Sequence, residues 1–335
     1  MTTIRDVAER AGVSTATVSR VINGSDSVAL ETRTKVLKTI DTLNYEPSRL
    51  ARRMRSGIAS VLGVVVSDIS NPFFASVVRG VESIAYRSQY GIILCNSDED
   101  KEREEYYLRL LQAEKVAGVI VAPADEQNNL CGYLLEDGIA VVAIDRQLAH
   151  LDVDTVLVDN YSGAYQAITH LINLGHRRIG FIGGPPQLIT GRERQRGYTQ
   201  ALADNQIGVN NALIRIGDFR QPSGHKQAEA LMNLETPPTA LFVANNLMTL
   251  GALNAIHERG LTIPDDISIV GVDDFPWSES LNPPLTVVAQ PATEMGMTAC
   301  QLLLNRINQR DIPTHAVRIS PTFVIRSSTS PGKHT

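Results

Sequence analysis

The sequence predicts two unlike parts: a small all-α headpiece of helix-turn-helix type, then an α/β region of two doubly wound parallel-sheet subdomains. Three observations lead there. Over residues 1–57, apolar residues recur at helical spacing in short segments. Beyond residue 60, nine short apolar runs alternate with amphipathic stretches, the pattern of buried parallel strands joined by crossover helices. Charge divides at the same place, with a net +4 over residues 1–57 and a net −9 over the other 278. A small basic unit on a large acidic one points to a polyanionic partner for the first and something else for the second.

Bulk composition sets the outer bounds. A chain of 335 residues is too long for one core, so two or three globular units are expected. Apolar residues at 43% and charged residues at 20% are ordinary for a soluble globular protein. Apolar runs such as VLGVVV and IAVVAI are far too short to span a membrane. Acids and polar residues crowd MTTIRDVAERAG, which fits no export signal, so a cytoplasmic location is expected. Cys95, Cys131 and Cys300 are far apart and form no CxxC, and the histidines show no HxxxH or HxxE spacing. Reduced thiols and no metal site are the expectation.

The elements of the headpiece follow in order. Thr3, three residues before Asp6, makes a capping-box-like helix start. Ile4, Val7, Ala8 and Ala11 then share one helical face, and Gly12 follows where a turn needs positive φ. Ser14 is placed to cap a second helix, STATVSRVIN, with Val18, Val21 and Ile22 as its buried stripe and Gly24 at its end. A third helix is expected over Glu31–Leu43, with Val36, Leu37, Ile40 and Leu43 facing inward. Two short helices joined by AGV and braced by a third make a helix-turn-helix. The outer face of the second helix holds Thr15, Ala16, Thr17, Ser19 and Arg20, all short or hydrogen-bonding. Such a face fits the DNA major groove, where Arg20 can take a guanine O6/N7 pair and hydroxyls can take phosphates. A protein-interaction bundle with a solvated polar face is the alternative on this segment alone.

These residues carry a resemblance. IRDVAERAGVSTATVSRVIN is similar, nearly position by position, to the N-terminal motif of the LacI/GalR family of bacterial transcription repressors, and LNYEPSRLAR to the segment after it. The similarity continues to about residue 327. It implies a homodimer on a pseudo-palindromic double-stranded operator. It also implies that Ser14, Thr15, Ala16, Thr17, Arg20, Asn23, Thr32, Tyr45, Ser48, Ala51 and Met54 lie at the DNA.

Residues 49–57, RLARRMRSG, set four arginines around Leu50 and Met54 in a chain of net charge −5. Between Pro47 and Gly57 there is room for one short helix, Ser48–Ser56, with Ser48 as its cap. So short a helix is not stable alone in water, where nucleation is not repaid below roughly 12–15 residues. Leu50, Ala51 and Met54 share one face, and Arg49, Arg52, Arg53 and Arg55 project around the rest. The resemblance implies a hinge helix that pairs with its mate from the other subunit and enters the minor groove. Met54 then stands where the family usually wedges a leucine between base pairs. A basic flexible linker is the alternative.

The nine apolar runs are VLGVVVSD, GIILCNSD, AGVIVAPAD, IAVVAIDR, TVLVDN, RIGFIGG, LIRIGDF, TALFVANN and SIVGVDD. Helical spacing marks Phe74–Ser88, Ser162–Leu174 and Met248–Arg259 between them. So many strands exceed one small sheet, and two subdomains are expected to join near Asp159–Asn160 and Gln290–Pro291. Nearly every run ends in acids, amides or arginine: Asp68, Asp98, Asp125, Asp145–Arg146, Asp159–Asn160, Asp218, Asn245–Asn246 and Asp273–Asp274. In open α/β sheets, ligands sit outside those strand ends. For any single one of these residues a helix cap is the favoured reading. Together with Phe73, Phe74 and Phe219 they suit a polyhydroxylated ligand, whose hydroxyls need paired acceptors and donors and whose C–H face needs an aromatic ring.

The resemblance makes this region similar to a periplasmic sugar-binding protein, with an effector between the subdomains. By motif it places Asn71, Phe73 and Phe74 (NPFF), Asp145 and Arg146 (AIDR), Thr190 and Arg194 (TGRERQRGY) at that effector. Phe219 (GDF), Asn245 (ANN) and Asp273 (GVDD) complete the set. Sugar-responsive members often carry Asn-Asp where this chain has Asn245–Asn246, which leaves the identity of the effector open.

An enzyme is the rival from another class. RIGFIGGPP lacks GxGxxG spacing, and Pro185–Pro186 sit where a phosphate-binding helix would start. P-loop, GxSxG and Cys/His patterns are missing too. Neither catalysis nor a cofactor is expected. The expected organisation is a DNA-binding domain over residues 1–46, a hinge over 47–58, and an effector-binding and dimerisation domain over 59–330. Subdomain one takes 59–160 plus 291–318, and subdomain two takes 161–290 plus 319–330. The function expected is a repressor that senses a sugar or sugar derivative. A nucleobase, nucleoside or sugar acid as effector, or an activating role, are the alternatives.

Overall fold

Thr3 and Asp6 start the first helix by satisfying each other's backbone: the Thr3 amide donates to Asp6 Oδ2 at 2.7 Å, and the Asp6 amide donates to Thr3 Oγ1 at 3.4 Å. In the computed structural model, which describes residues 3–22, 28–43, 61–127, 129–275 and 277–332, this helix is α1 (Ile4–Ala11), closed by Gly12 at φ 64°. Ser14 Oγ accepts the Thr17 amide at 3.1 Å and so caps α2 (Thr15–Ile22). Then comes α3 (Leu30–Thr42). Val7, Ala8, Ala11, Val18, Val21 and Val36 form the small core, with Ile40 and Leu43 packed at its edge. Leu37 was expected inside and is 50% exposed. With Val36 aimed at the core, a residue about 100° further round the helix must point away. The expected end of α2 at Gly24, the hinge segment Ser48–Ser56 and the domain boundaries after residues 46 and 58 lie outside the described residues.

The chain divides into two units, Met1–Ala59 and Ser60–Thr335. The larger contains two six-stranded sheets. The first holds β1 (Val61–Val66), β2 (Gly91–Asn96), β3 (Gly118–Val121), β4 (Ala140–Ile144), β5 (Asp154–Val158) and β11 (Ala316–Ile319) in the order β11-β5-β4-β3-β1-β2. All of its pairs are parallel. The second holds β6 (Ile179–Gly183), β7 (Ile214–Ile216), β8 (Ala240–Val243), β9 (Ser268–Val272), β10 (Thr286–Ala289) and β12 (Thr322–Val324) in the order β12-β10-β9-β8-β6-β7. Here only β10 and β12 run antiparallel. Among the described residues the helices of this unit are α4 (Pro72–Arg87), α5 (Lys101–Ala113), α6 (Leu130–Glu136), α7 (Asn160–Asn173), α8 (Ile189–Asp204), α9 (Gln221–Met232), α10 (Asn246–Glu258) and α11 (Ala292–Asn308).

Twelve strands therefore stand where nine apolar runs were counted. Seven of the nine are central strands covered on both faces and read as unbroken apolar stretches, while β2 and β7 are partly exposed edge strands whose apolar residues still showed in the sequence. Two of the three extra strands carry weaker signals. AVRI and TFV are short edge strands whose side chains are partly exposed. TVVA is a buried strand of four residues, as short as β3 and β8, and was not among the runs counted.

Connectivity places the cleft. The chain leaves the first sheet after β5, returns after β10 to form α11, and crosses again between β11 and β12. The carboxyl ends of both parallel sheets meet at these crossings. In the first subdomain, α11 lies against α4 so closely that a Cβ on Gly296 would stand 2.0 Å from the Val77 carbonyl oxygen, and one on Gly80 2.1 Å from that of Thr293. Both obstacles are backbone and cannot swing aside. Gly296→Ala should therefore cost about 1–3 kcal/mol by overpacking, read as a lowered midpoint in urea. Gly208→Ala, with nothing within 4 Å, should leave the midpoint unchanged.

Candidate functional site

Each wall of the cleft is built from strand ends and helix starts. Asn71 caps α4 by accepting the Phe73 amide at 2.9 Å, which turns Phe73 and Phe74 toward the strand ends, their rings edge-to-face at 5.0 Å. Asp145 follows β4, Asp273 follows β9, and Phe219 sits beyond β7, all with positive φ (61°, 76° and 67°). Non-glycine residues adopt that conformation at a cost, and such residues cluster at functional turns. The first turns of α8 supply Thr190 and Arg194. Asn245 caps α10.

All ten residues expected at the effector line one cavity, partly open to solvent. Asp68, Glu99, Asp218, Arg220 and Gln290 line it too. Asp68 and Asp218 were visible as strand-end acids but were not assigned to the site. Glu99 and Arg220 went unnoticed as lining residues, each one or two positions beyond a residue that carried the pattern, and Gln290, which follows the uncounted strand β10, was read only as part of a subdomain join.

The hydrogen bonds give these side chains different duties. Arg146 is buried, and its Nη atoms take Glu99 at 2.7 and 2.5 Å and the Pro123 carbonyl at 2.9 Å. It binds the wall together, leaving its Nε 3.5 Å from Asp145 and without a hydrogen bond. Asn245 accepts the Met248 amide at 2.9 Å and donates to the Phe219 carbonyl at 2.8 Å, so it holds Phe219 in place. Arg194 is fixed by Asn160 Oδ1 at 2.8 Å and the Ala244 carbonyl. Asp273 accepts from Gln290 Nε2 at 2.6 Å. Thr190 Oγ1 and Gln290 Oε1 are buried with no partner. Buried polar atoms are rarely left so, and these two face the cavity as open hydrogen-bonding positions.

Charge in the cavity is unbalanced toward the negative. Five carboxylates (Asp68, Glu99, Asp145, Asp218, Asp273) face three arginines (Arg146, Arg194, Arg220). Burial pushes the Asp145 carboxyl up to about 6, against the pull of Arg146 and Arg194. Burial likewise raises Asp273 despite Arg194 and Gln290, and lowers the Arg194 guanidinium despite Asp273 and Asp145. These groups are desolvated more than they are compensated.

On the headpiece, Ser14, Thr15, Ala16 and Arg20 are exposed at the start and outer face of α2, while Thr17 and Thr32 are half-buried. Asn23, Tyr45, Ser48, Ala51 and Met54 lie outside the described residues. Among the described residues, no group of three His, Cys, Asp or Glu is placed to hold a metal ion, and no helix is long and apolar enough to cross a membrane.

A helix-turn-helix headpiece followed by two sheets closing on one polar cavity defines a ligand-responsive DNA-binding regulator. Comparisons with known proteins say which kind. Residues 3–48 match the family described as bacterial regulatory proteins, lacI family, and residues 168–329 match a periplasmic binding protein-like domain. The HTH-type transcriptional repressor PurR of Aliivibrio fischeri strain MJ11 is 37% identical over 331 residues, covering 98% of both chains. PurR of Pectobacterium atrosepticum is 37% identical over 335 residues, covering 99% of this chain and 98% of that protein. Among solved structures, the Lac repressor dimer bound to operator and the anti-inducer ONPF superposes with a TM-score of 0.88 at 30% identity, covering 98% of this chain and 99% of that one. The CelR–cellobiose complex gives 0.74 at 33% identity (98% and 100% covered), and an Enterococcus faecium LacI-family regulator with bound ribose gives 0.74 at 31% (82% and 100%). The chain belongs to the LacI family of bacterial transcriptional repressors. It is a DNA-binding regulator and not an enzyme.

One buried acid beside the cleft has a measurable signature. Glu104 on α5 is 1% exposed, accepts the Ala124 amide at 2.5 Å, and is raised by burial from 4.5 to about 7. The native state then holds a proton that the unfolded chain has released between those two values, so stability falls as pH rises through this window. Glu104→Gln keeps the acceptor and removes the charge. Its melting temperature should exceed wild type at pH 8, by a free energy on the order of 3 kcal/mol, and should converge with wild type below pH 4.5. Parallel melting curves of both proteins check this.

Proposed function

We propose that this repressor binds a pseudo-palindromic operator as a homodimer, and that an uncharged, hydroxyl-rich effector, a sugar or neutral sugar derivative, controls that binding from the cleft. The observation that carries the reading is the chemistry of the cavity: more carboxylates than arginines, with buried acceptors left open. A ligand that fits must donate hydrogen bonds and bring no negative charge. Vicinal hydroxyls do this, taking a carboxylate such as Asp273 in pairs, while Phe73 and Phe219 face the C–H side of a ring. A sugar acid fits poorly, because Arg146 is occupied by Glu99 and Arg220 by Asp98. Solved relatives hold ribose and cellobiose. A nucleobase or nucleoside is the second reading, favoured by the full-length relatives that carry the name PurR and by aromatic rings on both walls.

Thermal stabilisation of the full-length chain by a panel of neutral sugars, sugar acids, nucleobases and nucleosides separates these readings. A hit among the sugar acids alone would overturn the charge argument. Asp273→Ala should nearly abolish the response to whichever compound stabilises, since losing one partner of a desolvated charge-assisted contact costs roughly 2–5 kcal/mol. Operator affinity should survive; calorimetric titration at wild-type affinity would show the cleft to be misassigned.

On the DNA side, the exposed polar face of α2 supports major-groove contact by Thr15, Ala16, Thr17 and Arg20. Arg20→Ala should cost about 1–3 kcal/mol and relax specificity at one base pair. Wild-type affinity should fall steeply between roughly 50 and 200 mM salt as counterions are released; fluorescence anisotropy across that range would expose a flat response.

A further inference from the structure

Helix α8 begins without a cap of its own. Its N-cap is Leu188, extended at φ −95° and ψ 139°, and no side chain of that residue reaches the free amides. Leu188, Ile189 and Thr190 are all buried, so water does not satisfy the turn either. The acceptor comes from the other subdomain. Glu126, in the turn after β3, takes the Ile189 amide on Oε1 at 2.6 Å and Arg192 Nη2 on Oε2 at 2.8 Å.

Glu126 is 1% exposed, and its charge lies against the positive end of the helix dipole. Its turn is pinned on the first subdomain's side. Arg146 holds the Pro123 carbonyl at 2.9 Å, Glu104 the Ala124 amide at 2.5 Å, and Lys101 pairs with Asp125 at 2.7 Å. One residue beyond Arg192, Glu193 accepts from Arg318 of the first subdomain at 2.8 Å. The same turns of α8 carry Thr190 and Arg194 on their cavity side.

We propose that Glu126 is a cap supplied in trans, a positioning residue that makes the first turn of α8, and with it Thr190 and Arg194, ordered only when the two subdomains are closed on each other. Parting the subdomains withdraws the carboxylate, leaves the Ile189 amide without its acceptor and Arg192 with only the Pro186 and Gln187 carbonyls, and loosens the turn. An effector that grips Thr190 and Arg194 steadies the same turn from inside. Linkage then requires that effector binding and closure favour each other. The proposal rests on the cleft being the effector site; its test does not need the effector.

Hydrogen–deuterium exchange on the ligand-free, full-length repressor reads the turn directly. In Glu126→Ala, peptides over residues 187–195 should exchange about tenfold faster, the equivalent of a lost helix cap, while peptides over β6 and β8 stay as in wild type. Glu126→Gln keeps an acceptor for Ile189 but not the charge facing Arg192, and should fall between. Adding Leu188→Ser to Glu126→Ala supplies a cap in cis. It should restore slow exchange in α8 while the scattering radius remains that of Glu126→Ala. Unchanged exchange in Glu126→Ala, or failure of the serine cap to restore it, overturns the proposal. If Glu126→Ala does not fold, Glu126→Gln decides alone: faster exchange than wild type supports the cap in trans, and equal exchange overturns it.

Discussion

Two parallel sheets that turn their carboxyl edges toward one another must settle the charges they bring there. Asp145 stands on one side and Asp273 on the other, with Arg194 beside them, all at most 6% exposed. Each is costly to bury and tolerable only because the others are present. Buried charges must find partners, which restricts where these side chains can sit, and the positive-φ turns at Asp145, Phe219 and Asp273 follow strands of the sheets behind them. With the subdomains closed on each other, the cavity is an acceptor-rich space.

Within that space, residues that look alike have different work. Arg146 and Arg194 are both buried guanidiniums after strand or within helix, yet Arg146 spends its nitrogens on Glu99 and Pro123. Asn245 fills both ends of its amide in capping α10 and holding Phe219, while its neighbour Asn246 reaches across the cleft to donate to Asn71 at 2.6 Å. Arg220 likewise crosses to the Asp98 carbonyl at 3.0 Å. With Glu126 on α8 and Arg318 on Glu193, these are the ties that a change of effector occupancy would make or break.

Much of this was legible in the chain. Central strands such as VLGVVV and SIVGV are covered on both faces, so burial shows as an unbroken apolar run, and the acids that follow mark the cleft edge. Cap signals at Thr3 and Ser14 act over three residues and need nothing from elsewhere. Two of the features that escaped have their cause far away in sequence. Edge strands AVRI and TFV pair with β5 and β10 and carry little pattern of their own. Leu37 is as apolar as Val36, but helix phase alone puts it outside.

Sequence by itself determined the two-part plan and the helix-turn-helix, which depend on local periodicity, and it pointed to the ten side chains that converge on the cavity through the motifs of the family it resembles. Tertiary structure alone decided which of those ten face the cavity with unspent hydrogen-bonding capacity and which are consumed in holding it. Arg146 reads the same with or without Glu99, and Leu188 looks like a missing cap until Glu126 is brought to it from 63 positions away. A hydrogen bond between distant residues has no signature in either one's neighbours, so only folding reveals it.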